Sequence, residues 1–385
     1  MKQYFVDKDK FFYWYALISI MIFSLLIISC GSSIFNNTFS SNVLVDVYAG
    51  GNSMISSTNY PVAVYWKNGE MVVLSTESSG VESIAVAGND VYAGGYIMKY
   101  DLSIPSEYMV DSIAVPGYWK NGEWVGLSVL NSKNHSSVET MFIDGADVYA
   151  GGYSTNRSNI RVAGYWKNKK WVGLTSNSKY DYCVNSIFVV NNDIYACGYM
   201  QIKGIQTPIY WKNGECVELP FLSDKQYGNA NSIFISRDDV YISGSSKNTS
   251  GNIVACYWKN SGIIPLLSSD PQYELEANSI FIAGKDVYIG GYSRNRYYTL
   301  FASLVAGYWK NDKWIALVPF DNKESSKASS IFVYGKDVYV GGYCKNSRGD
   351  EIPGYWKNGE WVGFNARGDL SPVRSIVVVP KPAGQ

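Results

Sequence analysis

An aspartate recurs seven times at the start of the same short apolar run, and it is the residue of this chain most suggestive of chemistry. The seven are Asp46, Asp90, Asp147, Asp193, Asp239, Asp286 and Asp337. A ring of carboxylates can bind a metal ion or move protons, but acid–base catalysis needs two carboxyl groups in unequal surroundings. In six of the seven repeats the aspartate directly follows a tight turn, where its oxygens can accept backbone N–H groups. We therefore interpret the ring as structural.

The remaining reactive residues form no catalytic set. His135 is the only histidine, and it lies among Ser and Asn residues typical of a solvated loop. A Ser-His-Asp triad would need a nucleophile elbow of the G-x-S-x-G type, and no suitable segment provides one. The cysteines that follow Cys30 have no C-x-x-C spacing, which disfavours zinc. They are Cys183, Cys197, Cys216, Cys256 and Cys344. Three of these replace repeat residues and are interpreted as core positions, with their disulfide pairing left open. We predict no catalytic residue, no metal site and no cofactor.

The elements that position these residues belong to a repeat. A Tyr-Trp pair occurs seven times, with spacings of 45 to 53 residues, a period typical of propellers and solenoids. The pairs begin at Tyr65, Tyr118, Tyr165, Tyr210, Tyr257, Tyr308 and Tyr355. In the unit that begins at Ser330, the pattern predicts strands over 330–333, 337–343, 352–356 and 360–364. An Asn follows the third strand in all seven units, typical of a type I′ turn.

Four strands per unit and seven units predict an all-β, seven-bladed β-propeller of four-stranded antiparallel blades. The first unit starts at Val43 without a Ser-Ile strand before it, whereas Ser375 begins such a strand with no unit after it. We therefore expect the C-terminal strand to complete the first blade and close the ring. The predicted propeller spans 42–380, and 381–385 form a tail.

The repeat resembles the kelch motif. Two glycines close the second strand, as at Gly94-Gly95 and Gly341-Gly342, and a Trp often stands six residues after the Tyr, as at Trp361. Three units depart from this, with Met71, Cys216 and Ile263 at the Trp position. The resemblance implies a propeller but no particular activity. Kelch-type copper oxidases need two histidine ligands, which this chain lacks, and the Asp-boxes of sialidase propellers are not visible.

The N-terminal segment differs from the repeat. Three lysines precede an apolar run from Phe11 to Ile28, and Ile27-Ile28-Ser29-Cys30 resembles a bacterial lipobox. This resemblance implies a signal peptide over 1–29, a lipid on Cys30 (a diacylglycerol and an acyl chain such as palmitate), and a flexible tether over 30–41. The alternative is an uncleaved membrane anchor. Either interpretation predicts a lipid-anchored or membrane-anchored protein of the bacterial cell envelope, outside the cytoplasmic membrane.

The balanced charge of the chain disfavours nucleic acid as a partner. The chain has 33 basic and 33 acidic residues, so it has no basic surplus for a nucleic-acid backbone. The short turns share one end of the predicted ring, and the longer, more variable loops share the other. Rigid scaffolds carry binding residues on such loops. The long segment between Tyr96 and Ala114 and the segment from Ser293 to Phe301 are the most variable.

The candidate binding residues on the variable face are Arg294, Arg296, Tyr297, Tyr298, Tyr100 and Tyr108. The sequence thus predicts a monomeric, non-enzymatic binding scaffold for an unknown protein or glycan. A carbohydrate-binding propeller is the alternative, in which exposed tyrosines stack on sugars, and an envelope enzyme is the least favoured hypothesis.

Overall fold

The computed structural model describes residues 44–100, 112–175, 179–224, 226–266, 273–295, 304–319, 325–365 and 372–381. These residues form 28 strands in seven four-stranded antiparallel sheets, arranged as a ring. The predicted seven-bladed propeller is confirmed. Over these residues, no helix is long and apolar enough to cross a membrane.

The strands of blades 1 to 4 follow the chain, except that blade 1 takes its inner strand from the C-terminus. Blade 1 has β1 (Val45–Met54), β2 (Pro61–Lys67), β3 (Glu70–Val73) and β28 (Val373–Pro380). Blade 2 has β4 (Ser79–Ala87), β5 (Asp90–Tyr100), β6 (Ser112–Lys120) and β7 (Glu123–Gly126). Blade 3 has β8 (Ser136–Asp144), β9 (Asp147–Thr155), β10 (Arg161–Lys167) and β11 (Lys170–Gly173). Blade 4 has β12 (Asp181–Val190), β13 (Asp193–Ile202), β14 (Ile205–Lys212) and β15 (Glu215–Glu218).

Blades 5 to 7 repeat the same order. Blade 5 has β16 (Gly228–Ser236), β17 (Asp239–Lys247), β18 (Ile253–Lys259) and β19 (Gly262–Pro265). Blade 6 has β20 (Tyr273–Ala283), β21 (Asp286–Asn295), β22 (Leu304–Lys310) and β23 (Lys313–Ala316). Blade 7 has β24 (Ser326–Tyr334), β25 (Asp337–Lys345), β26 (Glu351–Lys357) and β27 (Glu360–Gly363). The first strand of each sheet, β28 in blade 1, is the inner strand beside the central channel.

The C-terminal strand closes the ring as predicted. β28 pairs antiparallel with β1, from Val45 opposite Pro380 to Gly51 opposite Val373. One end of the ring, the turn end, carries the two tight turns of each blade. The other, the loop end, carries the connections between the second and third strands and the crossings between blades.

Several strands are longer than the sequence pattern predicts. The inner strand of blade 7 begins at Ser326 rather than Ser330, because it continues past a β-bulge between Ala328 and Ser330. The variable loops are correspondingly shorter, since β5 runs to Tyr100 and β6 starts at Ser112. The Asn-Gly turns are as predicted, with φ of 51° at Asn68 and 91° at Gly69.

The Tyr-Trp pairs are core residues. The seven tryptophans of the pairs are among the largest fully buried side chains of the protein. In blade 6 the Trp309 ring lies 4.4 Å from the Trp314 ring of the outer strand, and a similar contact joins Trp119 to Trp124. Cys216 replaces such an outer Trp and is exposed, so its assignment to the core was wrong. The other four cysteines of the propeller are buried.

A bulge in each inner strand explains both the glycine pair and the Ser-Ile motif. At the second glycine of the pair, for example Gly95, a Cβ would overlap the carbonyl oxygen that the bulge brings forward from Gly80. After the bulge, the hydroxyl of the repeated Ser or Thr accepts the Ile or Met amide of the next blade, as Ser83 does from Met141 at 3.0 Å. All seven blades make this bond, including Ser330 with Ile376 and Ser375 with Ile84 at the closure.

Candidate ligand site at the mouth of the channel

The turn end is nearly identical in all blades, and blade 2 shows its plan. Asp90 accepts a hydrogen bond from the Asn121 amide at 2.7 Å and pairs with the Lys120 ammonium at 2.8 Å. The Asn121 carbonyl oxygen accepts the Val91 N–H, and Lys120 lies over the Tyr92 ring. The bonds from Lys120 and Asn121 hold the pKa of Asp90 below its usual value.

The same network occurs in the other six blades. It confirms a structural role for the aspartates, but with a different partner from the one predicted. The backbone N–H that follows the Asp donates to the Asn side-chain oxygen. The Asp carboxylate does not accept it, because it accepts from the Asn amide and pairs with the Lys ammonium. Six of the networks are nearly equal, whereas in blade 1 Asp46 is buried and also lies 3.7 Å from Lys381 Nζ.

The channel has an apolar section toward the turn end. Phe142, Phe188, Phe234, Phe281 and Phe332, one from each inner strand of blades 3 to 7, form an arc with successive ring centroids 5.0–5.1 Å apart. Three residues before each Phe stands the bulge residue, about 10 Å nearer the loop end. The ring of bulge residues therefore lies on the loop-end side of the phenylalanine arc.

The bulge residues vary in type and charge around the ring, unlike the neighbouring positions of the motif. From blade 1 to blade 7 they are Arg374, Glu82, Glu139, Asn185, Asn231, Asn278 and Ser329. Bulges commonly re-aim a side chain near a functional site. Here they place one Arg, two Glu, three Asn and one Ser around one opening.

The asparagines of this ring hydrogen-bond to the neighbouring blades. The amides of Asn185, Asn231 and Asn278 each donate to a backbone carbonyl of the next blade's inner strand, at 2.8–2.9 Å. Asn185 also donates to Asn229 at 3.1 Å. The amide nitrogens of these asparagines are therefore used within the protein, whereas the charged residues of the ring lie on the other side.

The charged side runs through blades 1 to 3. Arg374 Nε lies 3.9 Å from Glu82 Oε2, which is the long limit of an ion pair. Burial, together with the charge of Glu82, raises the pKa of Glu139 to about 7, although the Ser137 hydroxyl, Arg161 and Arg374 oppose this shift. Glu82 and Glu139 therefore stand on the bulges of neighbouring blades, with Arg374 acting on both.

Five tyrosines surround the same opening. They follow the glycine pair in blades 2, 3, 6 and 7 and Cys197-Gly198 in blade 4, and they are Tyr96, Tyr153, Tyr199, Tyr292 and Tyr343. The first three are half-buried, whereas Tyr292 and Tyr343 are buried. The Tyr96 ring lies against Gly80 of its inner strand, where a Cβ would be 3.1 Å from the Tyr96 hydroxyl. Burial raises the pKa of Tyr153 to about 12, and the Arg161 guanidinium lies 4.7 Å from the centre of its ring. Arg161 also donates to the Tyr199 hydroxyl at 3.4 Å.

Two of the candidate residues predicted on the variable face are described by the structure. Arg294 is exposed near the end of β21, and its charge acts on Tyr292, Tyr343 and Lys327 of the mouth. Tyr100 is exposed at the end of β5, four residues beyond Tyr96 and so on the same side of that strand. Arg296, Tyr297, Tyr298, Tyr108 and Cys30 lie outside the described residues. His135 is exposed, and its Nδ1 accepts the Ala114 N–H at 3.1 Å.

Sequence reasoning missed the bulge residues, although a signal for them was present. Each stands directly before the repeated Ser or Thr of the inner strand, at a position where Arg, Glu, Asn and Ser alternate. A position that varies in charge inside an otherwise constant motif indicates a surface where each blade contributes a different group to binding.

No family model and no curated protein matches this chain. Among solved structures, it is similar to a form of AofleA from Arthrobotrys oligospora, with 13% identity, a TM-score of 0.41, and 78% of this chain and 89% of that one covered. It is also similar to the fungal Aleuria aurantia lectin, described as a six-bladed propeller that recognises fucose, with 14% identity, a TM-score of 0.40, and coverage of 79% and 96%. An exo-1,5-alpha-L-arabinanase from a bovine ruminal metagenomic library shows 9% identity, a TM-score of 0.35, and coverage of 60% and 96%. At such identities and scores, a function for this chain has to be argued from its own residues.

Proposed function

We propose that this protein is a non-enzymatic carbohydrate-binding protein whose ligand enters the mouth of the channel at the loop end. The observation that carries the proposal is the group of half-buried tyrosines Tyr96, Tyr153 and Tyr199 beside a mixed set of charged and amide side chains. Sugars present many hydroxyl groups and apolar ring faces, and they are bound by convergent polar groups beside aromatic rings. The apolar phenylalanine arc below the mouth would exclude water from the inner side of a bound sugar.

The experiment is a glycan array probed with the full chain in detergent, followed by titration calorimetry on any glycan retained. A Tyr96→Ala/Tyr153→Ala variant should lose at least about tenfold in affinity, because it removes two rings of the mouth. Lys285→Ala, at an exposed turn of the turn end, is the matched control and should bind normally. Unchanged binding by the tyrosine variant, with an unchanged melting temperature, would refute the mouth of the channel as the binding site.

The alternative is that the loop end binds a protein instead of a glycan. It would use residues at the rim, such as Arg294 and Tyr100, rather than the recessed mouth. If pull-down captures a protein whose binding is lost in Arg294→Ser or Tyr100→Ser but kept in the mouth variant, this form is the correct one.

A second candidate function is glycoside hydrolysis, favoured by one observation, the presence of two glutamates, Glu82 and Glu139, on the bulges of neighbouring blades. In such a reaction one carboxyl protonates the leaving oxygen while the other activates the water that adds to the sugar. Chromatography of array-positive glycans after incubation tests this. Hydrolysis products that vanish in Glu139→Gln would establish an enzyme, whereas intact glycan supports the binding proposal.

We further propose that Cys30 carries a lipid that anchors the propeller in the bacterial cell envelope, outside the cytoplasmic membrane. The support is the Ile27-Ile28-Ser29-Cys30 sequence after an apolar run and the polar segment that follows it. A tether of this kind would hold the propeller near the membrane surface while leaving its loop end free to meet a ligand.

A further inference from the structure

The chain enters the propeller at the turn end of blade 1. The carbonyl oxygen of Leu44, directly before β1, accepts the Lys381 N–H at 2.8 Å. Two residues later, Asp46 pairs with the Lys67 ammonium at 3.2 Å and accepts from the Asn68 amide of the tight turn. Leu44 itself is 68% exposed and so lies on the surface. The segment N-terminal to Leu44 is therefore attached to the turn end of the ring.

The mouth of the channel lies at the opposite end of the same sheet. β28 runs from the loop end to the turn end, and it contains both Arg374 of the mouth and Pro380, which stands opposite Val45 of β1. The six residues from Arg374 to Pro380 correspond to about 20 Å along an extended strand. The attachment point of the N-terminal segment and the proposed ligand site are thus on opposite faces of the molecule.

The length of the chain between Cys30 and the propeller limits how the propeller can be oriented. Leu44 is 14 residues after Cys30, and a chain of that length spans at most about 50 Å. Without secondary structure it spans about 20 Å on average. To bring the loop end to the membrane, the chain would have to pass across β2 and β3 and then along the flank of blade 1, a path of about 40 Å. Such a path is close to the maximum, whereas a turn end beside the membrane needs no extension.

We propose that the N-terminal tether holds the propeller with its turn end toward the membrane and the mouth of its channel facing away. The inference rests on the proposed function, namely on the membrane anchor and on the mouth as the ligand site. It is the same for a lipid on Cys30 and for an uncleaved apolar run from Phe11 to Ile28, because both attach the propeller through Leu44. The ligand then approaches from the side away from this membrane, which a glycolipid of the same membrane cannot do.

Energy transfer from labelled positions to acceptor lipids tests the orientation. The full anchored chain, with Cys216→Ser to remove the exposed thiol, is reconstituted into phosphatidylethanolamine–phosphatidylglycerol vesicles with a trace of rhodamine lipid. A donor dye is placed in blade 7, on Lys336→Cys in the exposed turn before β25 or on Arg348→Cys in the exposed loop after it. Because the length of β25 separates the two positions by about 27 Å, transfer from position 336 should be at least about twofold higher. The chain without an added cysteine gives the background.

A second pair of labels separates orientation from tilt. Blade 3 is three blades away from blade 7 around the ring, and Ala146→Cys and Ser158→Cys are placed in the exposed turn before β9 and the exposed loop after it. Transfer should again be higher from the turn end. Opposite orders in the two blades, as for a propeller lying on its side, would overturn the inference.

A longer tether is the matched control. About 30 Gly and Ser residues inserted after Ser41 would raise the average span from about 20 Å to about 35 Å, so the difference between the two ends should fall. An unchanged difference would show that the turn end adheres to lipid, which contradicts the tether as the cause.

The outcomes separate the inference from the proposed function. If no labelled position transfers energy to the vesicles, the chain is not anchored, and the proposed anchor fails together with the inference. If the chain is anchored but both ends transfer equally, the inference fails and the anchor stands. Glycan binding in the mouth is measured in detergent, so neither result changes it.

Discussion

At the scale of single residues, the sequence motif is a set of local steric and hydrogen-bonding requirements. The second glycine makes room for a bulged carbonyl, the Ser caps the next blade's amide, and the Asn bridges two strands at the turn end. Each requirement depends on neighbours that recur with the repeat, so each could be recognised from the sequence. The role of a bulge residue depends on what the other six blades present, and no single repeat reveals it.

Trp309 tests the core at this scale. Trp309→Ala should lower the free energy of unfolding by about 3–5 kcal/mol, because the side chain is fully buried and packs on Trp314. Denaturant unfolding measures the change. The control, Trp314→Ala, removes a partly exposed ring of the outer strand and should cost clearly less. A loss below about 1 kcal/mol for Trp309→Ala would mean that the ring is not part of the core.

Glu139 gives the protein a predictable pH dependence. Its pKa rises from an ordinary 4.5 to about 7, so the folded state binds this proton more tightly than the unfolded chain. Its stabilising contribution is therefore complete below about pH 4.5 and is lost as the pH rises through about 7. Thermal melts of Glu139→Gln should show a smaller fall in melting temperature between about pH 5 and pH 8 than the wild type, by a few degrees.

Glu82, Ser137, Arg161 and Arg374 act on Glu139, and Tyr96, Tyr153, Cys183 and Tyr199 also lie within range of its charge. The same melts should be run on Glu123→Gln, an exposed glutamate of β7, as control. This variant should keep the wild-type pH dependence. A Glu139→Gln protein with the same pH dependence as the wild type would show that Glu139 titrates normally.

At the scale of elements, the C-terminal strand is the one on which the ring depends. Deleting 371–385 removes β28, exposes the edge of β1, and breaks the Ser330–Ile376 and Ser375–Ile84 bonds to both neighbouring blades. Unpaired edges invite aggregation, so we expect aggregation or a large fall in melting temperature. Deleting only 382–385 should change neither. A 371–385 deletion that melts at the wild-type temperature would show that closure adds no stability.

The strands also show which features of the fold could not be predicted from the sequence. The strand order, the turns and the closing strand follow from the spacing of Tyr-Trp, Asn-Gly and Ser-Ile. The continuation of each inner strand past its bulge does not, because the bulge shifts the alternation of side chains by one residue. This is why Ser326, Lys327 and Ala328 were missing from the predicted strand, and why the mouth was not recognised as a site.

At the scale of the whole molecule, the two ends of the ring are built differently. The turn end repeats one ionic network seven times, whereas the loop end gathers unlike residues around a single opening. This difference supports the prediction that the loop end is the functional face. It would let seven related blades bind one asymmetric ligand, as we propose.

The anchor is tested on the whole protein. Cys30→Ser should leave an unprocessed precursor that takes up no labelled palmitate, because the thiol is the proposed site of lipid attachment. Metabolic labelling followed by membrane fractionation measures both effects. Cys216→Ser, which changes an exposed thiol of the propeller, is the control and should label normally. Normal labelling of Cys30→Ser would contradict the lipoprotein hypothesis and favour an uncleaved anchor.

The claim that a glycan binds in the mouth of the channel is tested most directly by hydrogen–deuterium exchange of the full chain with and without a glycan retained on the array. We expect protection in peptides that contain Glu82, Glu139, Lys327 and Arg374, on the loop-end halves of the inner strands. Turn-end peptides, such as those around Asn121 and Asn358, should exchange as in the free protein. Protection confined to the turn end or to the outer strands, with the inner strands unchanged, would contradict the account.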